Sequence, residues 1–410
     1  MISYEESMQR LYELDVRVKE TVTLPLMESI GYVIAKDIVA NYNSPEAPTA
    51  AMDGFAIKAA DQALEKLKIQ AINPAGANEV PALIAGKAIK TFTGSLMPEG
   101  SDTLIPIENV EEKDGYIIIK KSVAQGFSVR EVGENFKKGE VLIQKGTIID
   151  FAQIGVMASL NITEVEVYDK PKVAIIATGE ELLELGQEQT KPTQIRSSNN
   201  YTIEALVKKY GAIPLQFGCV GDDIHKLKEV FTIALEQSDI VVSTGGVSVG
   251  DFDFVKDIVK EHLGADVIFK GVVIKPGQHI MLAKKKQKII LALPGFAYSS
   301  TVTALLYLVP LIFKMQGVEY KHNIINATLL SNYKKKSLKT EFAPCNISLV
   351  NGEFCIDFIG KKSGTSAIMT NMLGNSALAM TKPDEGDKKM GEKMKVLIYD
   401  CNFKKGGANE

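Results

Sequence analysis

Between Pro171 and Met315 the chain alternates short apolar runs with amphipathic stretches, and few folds accommodate such a rhythm. Strand-like runs are expected at 173–177, 213–220, 239–243, 272–275 and 289–293. Between most of them, apolar residues recur at helical spacing: Ile203, Leu206, Val207 and Tyr210; Ile224, Leu227 and Phe231; then Val255, Ile258, Val259 and His262. Near-continuous apolar strands need cover on both faces. Alternation with helices therefore predicts a doubly wound, parallel α/β domain.

In an open parallel sheet, ligands bind beyond the carboxyl ends of the strands. Two turns there carry glycine or acid: Thr178-Gly179-Glu180-Glu181-Leu182, and the run from Thr244 through Gly245, Gly246, Ser248, Gly250 and Asp251 to Asp253. Glycine lets backbone N–H groups approach phosphate oxygens, and a following helix N-terminus adds a favourable dipole. The second turn lacks the GK[ST] of a Walker loop and does not read GxGxxG, so NTP hydrolysis and dinucleotide binding have little support.

Carboxylates cluster at the same edge: Glu181, Asp222, Asp223, Asp251 and Asp253. Beside a phosphate they make physical sense if Mg²⁺ bridges them to the polyanion. Asp223 and Asp251 are equally well explained as helix caps. Lys275-Pro276-Gly277-Gln278-His279 offers a cation on a rigid corner, and Leu293-Pro294-Gly295-Phe296 ends the next strand. His279 is the one histidine near this edge; His225, His262 and His322 read as helix-surface or linker residues, so neither a metal–histidine cluster nor a Ser/His/Asp or Cys/His set can be argued.

The other segments have a different texture. At 410 residues the chain exceeds one ordinary core, and roughly two to four domains are expected. A helical pattern covers residues 3–20, with Met8, Leu11, Tyr12 and Leu14 near one face, and prolines 45 and 48 mark a crossing. Short strands follow (88–92, 103–110, 116–120), with Asp114-Gly115 as a hairpin turn, and Asp150 should cap a helix through Met157. Beyond Gly317 short strands return at 324–330, 347–350, 354–358 and 396–399, which suggests a small all-β domain.

A net charge of −3 without a basic block excludes an electrostatic case for nucleic acid. The apolar stretch 298–313 is short for a membrane span and reads as a buried or subunit-interface helix. Four cysteines without a CxxC pair, and no secretory start, fit reduced thiols in a cytoplasmic protein.

Taken together these strings resemble the MoeA family of molybdopterin molybdenumtransferases, which includes the gephyrin E domain. Met52-Asp53-Gly54-Phe55-Ala56 is similar to the family's MDGYA, and Thr93-Gly94 with Pro98–Asp102 and Glu108 to its TGAPxPxGaDxVxxxE. Arg130 with Gly133-Glu134 resembles RxxGeD, and Thr178–Leu182 resembles TGdEL. Ser243–Asp253 resembles sGGvSvGxxD, Lys275-Pro276-Gly277 resembles KPGkP, and Leu293-Pro294-Gly295 resembles LPGNPvS. The resemblance covers essentially the whole chain.

The resemblance implies a multidomain α+β and α/β subunit. A linker domain would comprise 1–48 and 138–170, and a β-rich inserted domain 49–137. A MogA-like doubly wound α/β domain would span 171–318, and a C-terminal β-barrel 319–410. It further implies a homodimer that binds adenylylated molybdopterin, inserts molybdate with Mg²⁺-dependent release of AMP, and works beside a MogA-type adenylyltransferase and molybdoenzymes. Carried over by position, the catalytic set is Asp53, Thr93, Glu181, Asp253 and Lys275. The ligand-binding set is Thr178, Gly179, Ser243, Thr244, Gly245, Gly246, Ser248, Gly250, Pro276, Gly277, Pro294, Gly295 and Thr365, and the metal set is Glu181, Asp222 and Asp253.

The chain departs from the family pattern in four motifs. Asn135 replaces an aspartate, Gln278 the second lysine of KPGkP, Phe296-Ala297 the Asn-Pro of LPGNP, and Ala50 a serine. They leave two alternatives open: a non-catalytic molybdopterin-binding scaffold, and a molybdopterin adenylyltransferase. The long N-terminal region carrying Asp53 and Thr93 argues against the second.

Overall fold

A computed structural model describes residues 1–246, 254–362 and 364–399. The chain divides into two compact units, Met1–Thr23 with Gly31–Val33 and Glu166–Glu410, and Leu24–Ile30 with Ile34–Val165.

The larger unit contains a six-stranded sheet in the order Ile213–Val220, Lys172–Thr178, Ile240–Thr244, Lys288–Leu293, Met281–Lys285, Asp266–Lys270. The first four strands are parallel, in level register: Val173 pairs with Ile240, and Val242 with Leu291. Alternate residues feed opposite faces. Val173, Ile175, Val242 and Leu291 pack with Ile203 and Val302, whereas Ala174, Ile176, Val241 and Ile290 pack with Phe231 and Ile258. Both faces are dry, so these strands read as unbroken apolar runs.

The last two strands correct the expectation of an all-parallel sheet. Met281–Lys285 pairs antiparallel with Lys288–Leu293, and Asp266–Lys270 pairs antiparallel with Met281–Lys285. Lys286-Gln287 is a two-residue link with Lys286 in the left-handed region (φ 54°), and a link that short can only make a hairpin. The expected strand at 272–275 is also reassigned. Ile274–Lys275 leaves the sheet and pairs in parallel with Thr340 and Glu341 of the C-terminal region.

Helix Ala297–Met315 is long and apolar enough to cross a membrane, but 94% of its apolar window is buried as a core helix of this unit. Two of its buried hydroxyls are satisfied locally: Thr301 donates to the Ala297 carbonyl and Thr303 to that of Ser299, both at 2.8 Å. Helix Tyr4–Glu13 packs on the same core through Tyr4, Met8 and Leu11, and Ser7 shares a 2.7 Å hydrogen bond with the Tyr307 hydroxyl. Tyr12, expected on that face, is instead exposed, because it lies about 100° around the helix from Leu11.

In the C-terminal region Thr340–Val350, Glu353–Asp357, Ile324–Leu329, Lys393–Leu397 and Ser376–Thr381 close into a five-stranded barrel through the pairing of the last with the first. Cys345, Ile347, Ile356, Ala379 and Val396 fill it. The sequence reading missed Ser376–Thr381 and the first half of Thr340–Val350. Pro344 and small alanines dilute the β-branched signal there, and barrel closure supplies the pairing instead.

The smaller unit holds a six-stranded sheet ordered Thr103–Pro106, Gly54–Ile57, Lys87–Thr91, Lys66–Asn73, Tyr116–Ile119, Val110–Lys113. Asp114 and Gly115, both at positive φ, make the expected hairpin turn. Asp150 caps helix Phe151–Ser159 in a capping box with Gln153.

Candidate active site

Level register has a geometric consequence. Ala177 pairs with Thr244, and Thr244 with Leu293, so three parallel strands end together and each runs into a glycine-bearing turn. Above these ends lies a cavity of about 410 Å³, lined by Thr178, Gly179, Glu181, Asp222, Thr244, Gly245, Gly246, Pro294 and Gly295, among others. Nine residues singled out from sequence thus share one enclosure.

The glycines are required by shape. Gly245 has φ 94°, and a Cβ there would lie 2.7 Å from the Thr178 carbonyl oxygen. At Gly246 (φ 66°) it would lie 2.7 Å from a Val255 methyl. The Glu181 carboxylate folds over Gly179, within 2.9 Å of where a Cβ would stand. Two helices begin at the cavity: Asn199 opens Asn199–Lys209, and Phe296 precedes Ala297–Met315. Their N-terminal dipoles favour an anion there. Asn199 also donates to the Gly295 carbonyl at 2.7 Å, tying two walls together. Sequence reasoning missed Asn199, whose role depends on a helix start lying beside a distant turn.

Carboxylates at this edge differ in role. Glu180 accepts from the Asp222 N–H at 3.0 Å and covers Gly221, so it braces the neighbouring turn. Asp223 caps helix Ile224–Gln237, accepting from the N–H groups of His225 (2.9 Å) and Lys226 (3.3 Å). The Lys226 and His225 N–H donors hold its carboxyl below the ordinary range. Glu181 and Asp222 remain as cavity-lining acids, hard oxygen donors of the kind Mg²⁺ takes. Among the described residues no cluster of three metal-ligating side chains occurs. Ser248, Gly250, Asp251 and Asp253 lie outside the described residues.

Lys275, Pro276 and Thr365 do not line this cavity. They meet in a second, smaller one with Tyr298, Tyr333 and Glu341. The reassigned strand explains this, since Lys275 pairs with Glu341 in the C-terminal sheet. Glu341, only 4% exposed, is satisfied by the hydroxyls of Tyr333 (2.6 Å) and Ser337 (2.7 Å). Gly277 packs against the core helix, where a Cβ would meet the Thr303 methyl at 2.3 Å. Ser243 is wholly buried within the sheet and lines neither cavity.

In the smaller unit, Gly54 pairs with Thr91, which brings the flanking Asp53 and Thr93 together. Thr93 donates to the Asp53 carboxylate from its backbone N–H (2.9 Å) and its hydroxyl (2.7 Å), and these bonds hold the carboxyl below its ordinary range. Gly54 has no room for a side chain, because the Ile105 carbonyl oxygen would lie 2.2 Å from its Cβ.

Residues 2–161 match the family model described as the MoeA N-terminal region (domain I and II), and residues 174–314 match that of a probable molybdopterin binding domain. A molybdopterin molybdenumtransferase of Staphylococcus epidermidis is 32% identical over 409 residues, covering 98% of this chain and 96% of that protein. A Staphylococcus aureus protein of the same description is 31% identical over 357 residues, covering 85% and 84%. Among solved structures, a molybdopterin biosynthesis moeA protein from Pyrococcus horikoshii OT3 matches with a TM-score of 0.82 at 28% identity, over 97% of this chain and 100% of that one.

Proposed function

This chain belongs to the family of molybdopterin molybdenumtransferases, and from that premise we propose that its strand-end cavity holds adenylylated molybdopterin while molybdate is inserted and AMP leaves. As a member of that family it is a transferase of molybdenum cofactor biosynthesis. One observation carries the proposal: three level strand ends, two helix starts and the Gly245-Gly246 turn converge on one cavity whose acids are Glu181 and Asp222.

Backbone N–H groups and helix dipoles would hold the phosphate oxygens. Glu181 and Asp222 would bind Mg²⁺, which supplies charge neutralisation between carboxylates and polyanion. Without it the acids would repel both molybdate and the ester. Lys275 and Thr365 would serve the oxyanion from the second cavity. Within the smaller unit, Asp53 and Thr93 would supply a fixed anion and hydroxyl. The working form would be a cytoplasmic homodimer, fed by a MogA-type adenylyltransferase and supplying molybdoenzymes.

The test is release of AMP from adenylylated molybdopterin by the purified full-length chain with Mg²⁺ and molybdate. Glu181→Gln should reduce release at least about 100-fold, as for the loss of one charged group that acts in the transition state. Binding without release in the unsubstituted protein would instead establish a scaffold. Light scattering should give twice 44.7 kDa, and a mass of 44.7 kDa would refute the dimer.

A further inference from the structure

We propose that Lys339, Gln278 and His279 form a hydrogen-bonded relay that fixes His279 as its neutral Nδ1–H tautomer, so that this N–H serves as a donor to phosphate oxygen in the strand-end cavity. The tautomer follows from the relay alone. Its service to phosphate rests on the reading of the cavity given above.

Gln278 stands where the family resemblance has a second lysine. Its backbone is pinned, since the Val272 N–H donates to the Gln278 carbonyl at 3.0 Å. Pairing of Ile274 with Thr340 brings the preceding residue, Lys339, beside the same corner. There the Lys339 ammonium donates to Gln278 Oε1. An ammonium has donors only, so the amide must turn its oxygen toward Lys339. The amide nitrogen then faces His279 Nε2, at 2.8 Å. An NH₂ group can only donate here, so Nε2 must accept and the ring proton must be on Nδ1.

His322 presents the opposite case within the same chain. Its Nε2 lies 3.1 Å from the Leu306 carbonyl, which can only accept, so His322 carries its proton on Nε2.

His279 lines the strand-end cavity. With Nε2 taken, Nδ1–H is the ring donor left for a ligand. The relay also transmits charge. Lys339 polarises the amide, the amide polarises the ring, and each bond strengthens the next donor. The cation missing at position 278 thus acts from a different element, through an amide and an imidazole. Gln278 and Lys339 are positioning residues in this arrangement.

The chain has four histidines, so selective ¹⁵N-histidine labelling of the full-length protein gives a readable long-range ¹H–¹⁵N spectrum, with His279→Phe as the assignment control. His279 should show the Nδ1–H pattern and His322 the Nε2–H pattern. Gln278→Glu substitutes a group that only accepts, and should move the His279 proton onto Nε2. Lys339→Met should leave a mixture. An Nε2–H pattern at His279 in the unsubstituted protein, or no change in Gln278→Glu, would overturn the relay.

AMP with Mg²⁺ is the ligand probe. It should shift the His279 Nδ1 resonance, and His279→Phe should weaken its binding about tenfold, the loss of one charge-assisted hydrogen bond. If AMP shifts the amides of Gly245 and Gly246 but not His279 Nδ1, the proposed donor role is wrong. If it shifts neither, the phosphate reading of the cavity fails and the donor role fails with it, while the tautomer assignment is judged by its own spectrum.

Discussion

Thr93 directs both its backbone N–H and its hydroxyl to the same carboxylate oxygen of Asp53, at 2.9 and 2.7 Å. The two residues flank a paired position, Gly54 with Thr91, so the sheet register holds the contact even though both side chains are exposed. A carboxylate held this way stays charged to lower pH than a free one, because both donors bind the ionised form.

Thr93→Val should therefore raise the Asp53 titration midpoint, but only part of the way to the ordinary range. The backbone N–H, the larger cause of the depression, survives the substitution and the hydroxyl does not. Any stability linked to this bond is present above the unfolded-state value and lost as pH falls through the folded one. A side-chain ¹³C titration of Asp53 reads the shift, and an unmoved midpoint would mean the hydroxyl contributes nothing.

Gly245→Ala should destabilise the chain by about 1–3 kcal/mol, because its backbone lies at φ 94° and the new Cβ would press on the Thr178 carbonyl. The same strain displaces the turn, so AMP release should fall together with the thermal midpoint. Gly155→Ala is the matched control. It lies in helix Phe151–Ser159 with nothing within 4 Å of the added methyl, and alanine there should stabilise by about 0.5–1 kcal/mol. Calorimetry on both variants checks the contrast, and equal midpoints would refute it.

Cys219 and Cys345 should be chemically quiet. Burial pushes the Cys219 thiol up to about 11 and the Cys345 thiol up to about 12, so neither forms much thiolate at pH 8. Brief iodoacetamide treatment of the folded protein at that pH should leave both unmodified by site-resolved mass spectrometry. After denaturation both should react. Prompt labelling of Cys219 in the folded protein would contradict its assigned environment.

Much of the α/β unit was legible because strands buried on two faces must be apolar throughout, and Val173, Val242 and Ile290 meet that demand directly. Glycine at 179, 245 and 246 was legible for a related reason, since a backbone that approaches a neighbour at positive φ excludes a side chain. The antiparallel edge was not read, although Lys286-Gln287 forms its hairpin link, because lysines flank the pair and mask the strand pattern. The barrel strand Ser376–Thr381 was missed because its alanines carry little intrinsic strand preference.

Sequence alone determined which chemical groups are available: glycine turns after apolar strands, carboxylates at one edge, a lysine before Pro-Gly, and an aspartate with a threonine forty residues on. Those are local properties, set by residue type and short-range spacing. Only tertiary structure decided how they are shared out. Level register gathered Thr178, Gly245 and Gly295 around one cavity, and pairing with the barrel drew Lys275 into another beside Thr365. The same pairing brought Lys339 to Gln278, sixty-one residues away. Contacts of that kind depend on strand register between distant segments, and no local pattern encodes them.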